Sequence, residues 1–277
     1  MKNTRFITKN NIFIGSSETP RAVCSEKISN IDTCSRGKTL STLQFSYWLA
    51  GLIDGDGCLL LSKKGYASCE ITVGIKQHIL VSSVKKHLGG TIKKRAGVNA
   101  YRWRLDNIKG INMVLDFIDG KLRIKRRQLQ YNLVCVALER TPLVSKPISR
   151  RNAWITGFYE AEGLFNVNRT TLQCSITLTQ KDSLILEDIR RVMGGKIYYD
   201  KSWDGWLYSA SNLTDISHWV TYFSLYPLRS WKQIQLQRFK RVLLYKGRGV
   251  HLRGPAAGRS WKRFQQLLNE FHQNAKL

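Results

Sequence analysis

The stretch Trp48–Leu61, WLAGLIDGDGCLLL, decides how the rest of the chain is read. An apolar run with two small residues ends in Asp54-Gly55-Asp56-Gly57 and then turns apolar again. Phe45, Trp48, Leu49 and Leu52 recur at helical spacing, which predicts a helix from Phe45 to Ile53. Gly-Asp-Gly is expected to break it, with Cys58–Ser62 following as a strand. A helix that ends in acids is electrostatically backwards. Its C-terminal end carries about −0.5 of an elementary charge, which disfavours a carboxylate there.

The design returns in WITGFYEAEGLFNV, Trp154–Val167, where Trp154, Gly157 and Gly163 match Trp48, Gly51 and Gly57. Cys69, Ile71, Thr72 and Lys76 then match Cys174, Ile176, Thr177 and Lys181. Gly89-Gly90 matches Gly194-Gly195, and Leu122-Arg123 matches Leu228-Arg229. Self-similarity on this scale means one structural unit used twice. Each unit reads as α-β-β-α-β-β-α. In the first, Ser68–Lys76 alternates, with Cys69, Ile71, Val73 and Ile75 on one face. Ile79–Leu88 reads as a helix closed by two glycines, Tyr101–Leu105 as a strand, and 108–118 and 122–139 as helices. The expected organisation is a flexible N-terminal tail over 1–40, halves over 41–140 and 152–247 joined by a proline-containing linker over 141–151, and a C-terminal extension over 248–277 with a helix at Trp261–Gln273.

Two acid-terminated helices meeting at a pseudo-twofold axis would crowd carboxylates, an arrangement that makes sense with a cation between them. Oxygen donors completed by substrate phosphates suit Mg²⁺. Gly51 and Gly157 fall inside these helices, where glycine costs about 1 kcal/mol relative to alanine. Close approach of two helix backbones is the compensating benefit expected.

Composition narrows the partner. Lys and Arg number 45 against 19 Asp and Glu, a net charge of +26. Self-repulsion of that size opposes a compact fold and calls for a polyanion. Nucleic acid is the first reading and an anionic membrane surface the alternative, although no apolar run reaches the ~18–20 residues needed to span a bilayer. Six scattered cysteines without a CxxC pair suggest neither a disulfide framework nor a zinc site, so a metal site is sought among the carboxylates. Residues 1–40 are polar and rich in Ser, Thr and Asn. They lack the apolar core of a secretory signal, while another targeting segment or the remainder of an upstream reading frame stays open.

LAGLIDGDG and its diverged copy ITGFYEAEG resemble the paired signature motifs of the LAGLIDADG homing endonucleases, with Gly55 standing where the family name has alanine. The resemblance covers about residues 45–246. It implies an α+β monomer of two tandem αββαββα halves, with the signature helices paired at the interface and two antiparallel four-stranded sheets forming a saddle for DNA. The activity implied is site-specific, metal-dependent cleavage of both strands of a long, partly asymmetric double-stranded DNA. An intron RNA maturase or a non-cleaving DNA binder on the same fold is the alternative, and the host intron RNA is a further partner to consider. Mg²⁺ is the expected cofactor, with Mn²⁺ substituting and Ca²⁺ supporting binding but little cleavage. Intron-encoded members of the family imply a mitochondrial or chloroplast location; the spread of basic residues along the whole chain, with no spanning apolar run, speaks against a membrane partner.

Carried over residue by residue, the resemblance makes Asp56 and Glu162 metal ligands, and gives the carbonyls of Gly55 and Ala161 to the metal. Asp54 and Glu160 would support the helix ends. LRIKRRQ, Leu122–Gln128, resembles the segment that supplies the active-site lysine, which falls on Lys125. LRSWKQ puts Trp231 at the matching place, with Lys232 one later. Gln180 resembles the glutamine that orders active-site water. DNA contacts are expected from strand and turn residues: Ser62, Lys63, Lys64, Ser68, Glu70, Thr72, Lys76, Arg102 and Arg104 in the first half, and Asn166, Asn168, Arg169, Gln173, Ser175, Thr177, Lys201 and Tyr208 in the second. Two sheets each reading about one DNA turn imply a site of roughly 20 bp.

Overall fold

A computed structural model of the protein describes residues 41–273. The expected tail over 1–40 lies outside the described residues. The first half runs α1 (Thr42–Asp56), β1 (Gly57–Leu61), β2 (Ala67–Gly74), a 3₁₀ turn (Ile75–Gln77), α2 (His78–Leu88), β3 (Thr91–Lys94), β4 (Ala100–Leu105), α3 (Ile108–Ile118) and α4 (Lys125–Ala137). The second repeats it as α5 (Trp154–Glu162), β5 (Gly163–Val167), β6 (Cys174–Gln180), α6 (Ser183–Met193), β7 (Lys196–Asp200), β8 (Gly205–Ala210), α7 (Leu213–Leu225) and α8 (Lys232–Gly247). A short α9 (Val250–Arg253) and a 3₁₀ turn lead to α10 (Arg259–Gln273).

Each half builds one antiparallel four-stranded sheet, in the orders β1-β2-β4-β3 and β5-β6-β8-β7. Alternation decides the faces. Cys69, Ile71 and Val73 pair with Leu105, Trp103 and Tyr101, and this row turns inward onto α2 and α3. The opposite row carries Glu70, Thr72, Arg102 and Arg104 and leaves the core. The α+β architecture expected from the repeat is the one observed.

Helices α1 and α5 make the joint between the halves. α1 is buried from Phe45 to Asp54 except Tyr47, and α5 from Trp154 to Glu160. A helix that is apolar on nearly every side belongs in an interior, and here each helix is the other's neighbour. Glycine sets the distance: a Cβ on Gly51 would lie 2.1 Å from the Trp154 carbonyl oxygen, and one on Gly157 only 1.9 Å from that of Trp48.

Several boundaries differ from the sequence reading. The first signature helix continues through Gly55 and Asp56 instead of breaking after Ile53, because its last carbonyls are capped by a side chain described below. β2 stops at Gly74, so Ile75 enters the 3₁₀ turn and is exposed rather than continuing the inward row. α4 starts at Lys125, since the backbone of Arg123 and Ile124 is held by a side chain of α1. The last helix begins at Arg259, with Phe264, Leu267, Leu268 and Phe271 buried and Phe271 facing Phe239 of α8. The segment between the halves lies along the first: Leu143 N donates to Asp119 Oδ1 at 2.9 Å, and Ser145 Oγ to the Leu122 carbonyl at 2.5 Å.

Candidate active site

The halves also meet at the C-terminal turns of α1 and α5. A Cβ on Gly55 would lie 2.2 Å from Ala161 Cβ and 3.5 Å from Glu162 Cγ. Only one of these facing positions has room for a methyl group, which explains why the first motif carries glycine where its copy carries alanine. Asp56 and Glu162, one residue further along, are thereby brought side by side.

The two acids of each motif have separate surroundings. Asp54 is buried: Oδ2 accepts from Arg123 N at 2.9 Å and from Trp154 Nε1 at 3.0 Å, and Oδ1 from Ile124 N at 3.1 Å. Glu160 is buried in the matching place, accepting from the backbone N–H groups of Arg229 and Ser230 and from Ser230 Oγ at 2.5 Å. These acids tie the loops that precede α4 and α8 to the signature helices. Asp56 and Glu162 instead lie near enough for the Asp56 charge to act on Glu162. Burial raises Asp56 to about 6, against the pull of Lys232 and Arg127. Burial, followed by the neighbouring Asp56 charge, raises Glu162 to about 7, while Lys232 and a hydrogen bond from Gln180 act the other way.

Two cations close the helix ends. Arg127 Nε donates to the Ile53 carbonyl and Nη2 to that of Gly55, both at 3.2 Å. Lys232 is buried, and its Nζ donates to the carbonyls of Tyr159, Glu160 and Ala161 at 3.0, 2.7 and 3.5 Å. Orphan carbonyls at a helix C-terminus favour a cation, and each of these also faces carboxylates. Desolvation lowers the Lys232 pKa, opposed by Glu160, Asp56 and Glu162. Gln77 adds a bond between the halves, from Nε2 to the Glu160 carbonyl at 2.7 Å.

Lys125, expected beside the acids, is instead exposed in the first turn of α4. The cations that reach the signature helices are Arg127 and Lys232. Aligning on Leu-Arg pairs Lys125 with Trp231, yet the cation that reaches the signature helix lies five residues after Leu122 in the first half and four after Leu228 in the second. The usable signal was Arg127-Gln-Leu-Gln130 against Lys232-Gln-Ile-Gln235, a cation followed three residues later by glutamine. The Gly55 and Ala161 carbonyls, assigned to metal, are partners of these two cations.

The expected DNA contacts divide. Tyr208 is overturned: it is fully buried, its hydroxyl accepts from Trp219 Nε1 at 2.8 Å, and it belongs to the inward row of β8. Ser68 and Ser175 are also buried, which removes them from the surface that DNA could touch. Asn168 spends its side-chain oxygen on Thr170 N and Thr171 N and shapes the β5–β6 turn. Lys76 lies over the Trp231 ring, 5.2 Å from its centroid. Ser62, Lys63, Lys64, Asn166, Arg169, Gln173 and Lys201 are exposed, and Thr72 and Thr177 half-buried. Glu70 holds Arg104 Nη1 at 3.0 Å and Arg102 Nη1 at 3.5 Å.

The donor set near the pseudo-dyad fits a divalent cation. It offers two hard carboxylates at abutting helix ends, each pushed toward its neutral form by burial and one of them by the other. Among the described residues no group of three or more His, Cys, Asp or Glu side chains forms a self-sufficient metal site. Such a pair suits an ion whose remaining ligands are water and phosphate.

Comparison with known proteins agrees with this geometry. The family model described as LAGLIDADG endonuclease matches residues 49–138 and 155–243. The Intron-encoded RNA maturase bI4 of Saccharomyces cerevisiae is 35% identical over 198 residues, covering 69% of this chain and 31% of the relative. The Probable intron-encoded endonuclease aI2 of Debaryomyces hansenii is 32% identical, covering 73% and 33%. The chain therefore spans about a third of the length of these relatives. The Intron-encoded DNA endonuclease ai2b of Dictyostelium discoideum is 30% identical, covering 67% and 74%. Among solved structures, the I-LtrWI LAGLIDADG homing endonuclease bound to target DNA superposes with a TM-score of 0.64 at 16% identity, covering 83% of this chain and 98% of that one. At that identity the likeness speaks to the fold.

Proposed function

The chain belongs to the LAGLIDADG endonuclease family, and we propose that it is a site-specific double-strand DNA endonuclease acting as a monomer. The observation that carries this reading is the pair Asp56 and Glu162 at abutting helix ends, flanked by the half-buried Arg127 and the buried Lys232. A protein that only bound DNA would gain nothing from two carboxylates crowded together where phosphates must come.

Asp56 and Glu162 would hold Mg²⁺, with Mn²⁺ able to replace it and Ca²⁺ supporting binding but little cleavage, because it prefers longer bonds and looser coordination. Such an ion, when bound, polarises the phosphodiester and makes a strong nucleophile of water at neutral pH. The protein's own part is positioning. Gln180 orients the Glu162 carboxylate through its hydrogen bond. Arg127 and Lys232 fix the last helical turns and hold positive charge beside the acids. Lys125 is left to serve as a phosphate contact at the mouth of the site. The outward rows of the two sheets would lie in the major groove, which admits a β-ribbon and displays a distinct pattern for every base pair. Because the rows differ, the target is asymmetric.

One relative favours a second reading, since the protein 35% identical to this chain is named an RNA maturase. Assistance to the splicing of a host intron is the activity that resemblance suggests. Several relatives are named intron-encoded proteins, which supports an organellar origin, and no helix among the described residues is long and apolar enough to cross a membrane. The deciding experiment incubates the full chain with a randomised DNA library in Mg²⁺ and sequences the cleaved ends. Enrichment of one site of roughly 20 bp is expected. Uncut libraries together with tight, specific binding of intron RNA would replace the endonuclease reading by the maturase one.

A further inference from the structure

The two halves share a backbone plan but present different chemistry on their outward faces. On the first sheet, β2 and β4 bring Glu70 opposite Arg104 and Thr72 opposite Arg102. Glu70 is only 15% exposed, and its two carboxylate oxygens each take one arginine. Arg104 Nε is held in turn by Asp106 Oδ2 at 3.3 Å. The matching central row of the second sheet pairs Thr177 with Ser209 and Thr179 with Leu207. Among the described residues, the charge on that face sits on its edge strand, at Lys196 and Asp200.

We propose that the first half reads a guanine-containing half-site through Arg102 and Arg104, with Glu70 as the positioning residue. The second half reads an A·T-leaning half-site through hydroxyl and apolar side chains. This rests on the endonuclease reading, in which the sheets face DNA. Arginine forks onto guanine O6 and N7, whereas hydroxyls accept any base edge and apolar side chains fit the thymine methyl. A guanidinium has five N–H donors. Arg104 spends one on Glu70 and one on Asp106, and the remaining three include a hydrogen on each terminal nitrogen, the pair an end-on guanine contact uses. Long arginine side chains lose conformational freedom on binding, and a carboxylate that orders them beforehand removes part of that cost.

The test is a binding selection. Duplexes randomised over both half-sites are bound by the full chain in Ca²⁺, recovered and sequenced for wild type, Arg104→Ala and Glu70→Gln, with the melting temperature of each protein recorded. Wild type should enrich guanine in one half-site and A·T pairs in the other. Arg104→Ala should lose about ten-fold or more of the preference for guanine at one position and leave the other half-site unchanged. Glu70→Gln should blur the preferences at the Arg102 and Arg104 positions while DNA is still bound. If both variants select the same bases as wild type, or lower only the melting temperature, the network is a structural ion pair and the proposal is wrong. A wild-type site lacking guanine in the half-site that Arg104→Ala affects overturns it equally. Enrichment of no DNA by wild type would overturn the endonuclease reading along with it.

Discussion

At the scale of single residues, each motif divides its two acids between different tasks. Asp54 and Glu160 accept backbone N–H groups, whereas Asp56 and Glu162 meet each other. Asp56→Asn and Glu162→Gln keep the shape and remove charge from the proposed metal site. Each should abolish double-strand cleavage, by at least about 100-fold, with DNA affinity and melting temperature held; supercoiled-plasmid cleavage beside a binding titration checks this, and full cutting by both variants would remove these residues from the site. The same pair gives a pH dependence. Both folded-state pKa values are raised, to about 6 and about 7, so folding takes up protons at these sites between the ordinary carboxylate range near 4 and pH 7. By linkage, their contribution to stability falls as pH rises through that window in the absence of metal. Ca²⁺ competes with those protons, so it should raise the melting temperature more at pH 7.5 than at pH 5. Equal Ca²⁺ shifts at both pH values, or an undiminished shift in Asp56→Asn with Glu162→Gln, would count against the assignment.

At the scale of elements, the signature helices are in contact because glycine and alanine are distributed between them in a complementary way. Gly55→Ala places a methyl group against Ala161 and should destabilise by about 1–3 kcal/mol, the usual range for overpacking. Ala161→Gly alone should cost up to about 1 kcal/mol in helix propensity. Combined, they move the methyl from one helix to the other, so the double variant should be more stable than Gly55→Ala alone. Such non-additivity is the signature of contacting residues, and thermal melts of the four proteins measure it. Simple addition of the two losses would mean that the helix ends relax apart. The glycines that permit this contact were legible in the sequence, because a residue unfavourable in a helix recurred in register at Gly51 and Gly157. The strand faces were legible from alternation, except in Gly205–Ala210, where Leu207 puts an apolar side chain on the face opposite Trp206 and Tyr208 and the pattern does not mark Tyr208 as inward. The identity of the cations was not legible: the cation stands third in α4 but first in α8, and only the carbonyls reached by Arg127 and Lys232 reveal the match. The pairing of Glu70 with two arginines from another strand needed the β2–β4 register.

At the scale of the molecule, the pseudo-symmetry is broken by what surrounds it. α10 buries apolar residues against α8, whereas Leu129, Leu133 and Val136 of α4 stay exposed. The net charge of +26 belongs to this scale as well, since it acts through the field of the whole chain. Salt should therefore have opposite effects on two properties of the same protein. In the free chain, screening weakens self-repulsion, so the melting temperature should rise modestly as salt is raised. In the complex, each cation set against a phosphate releases a counterion when DNA binds, and added salt opposes that release. A saddle that neutralises six to ten phosphates should lose on the order of 10³–10⁵ in affinity between 50 and 200 mM salt. Fluorescence anisotropy on a cognate duplex in Ca²⁺, next to thermal melts in the same buffers, measures both trends. An affinity indifferent to salt would mean that the basic residues are not against the DNA backbone, and the charge of the chain would then need a different partner.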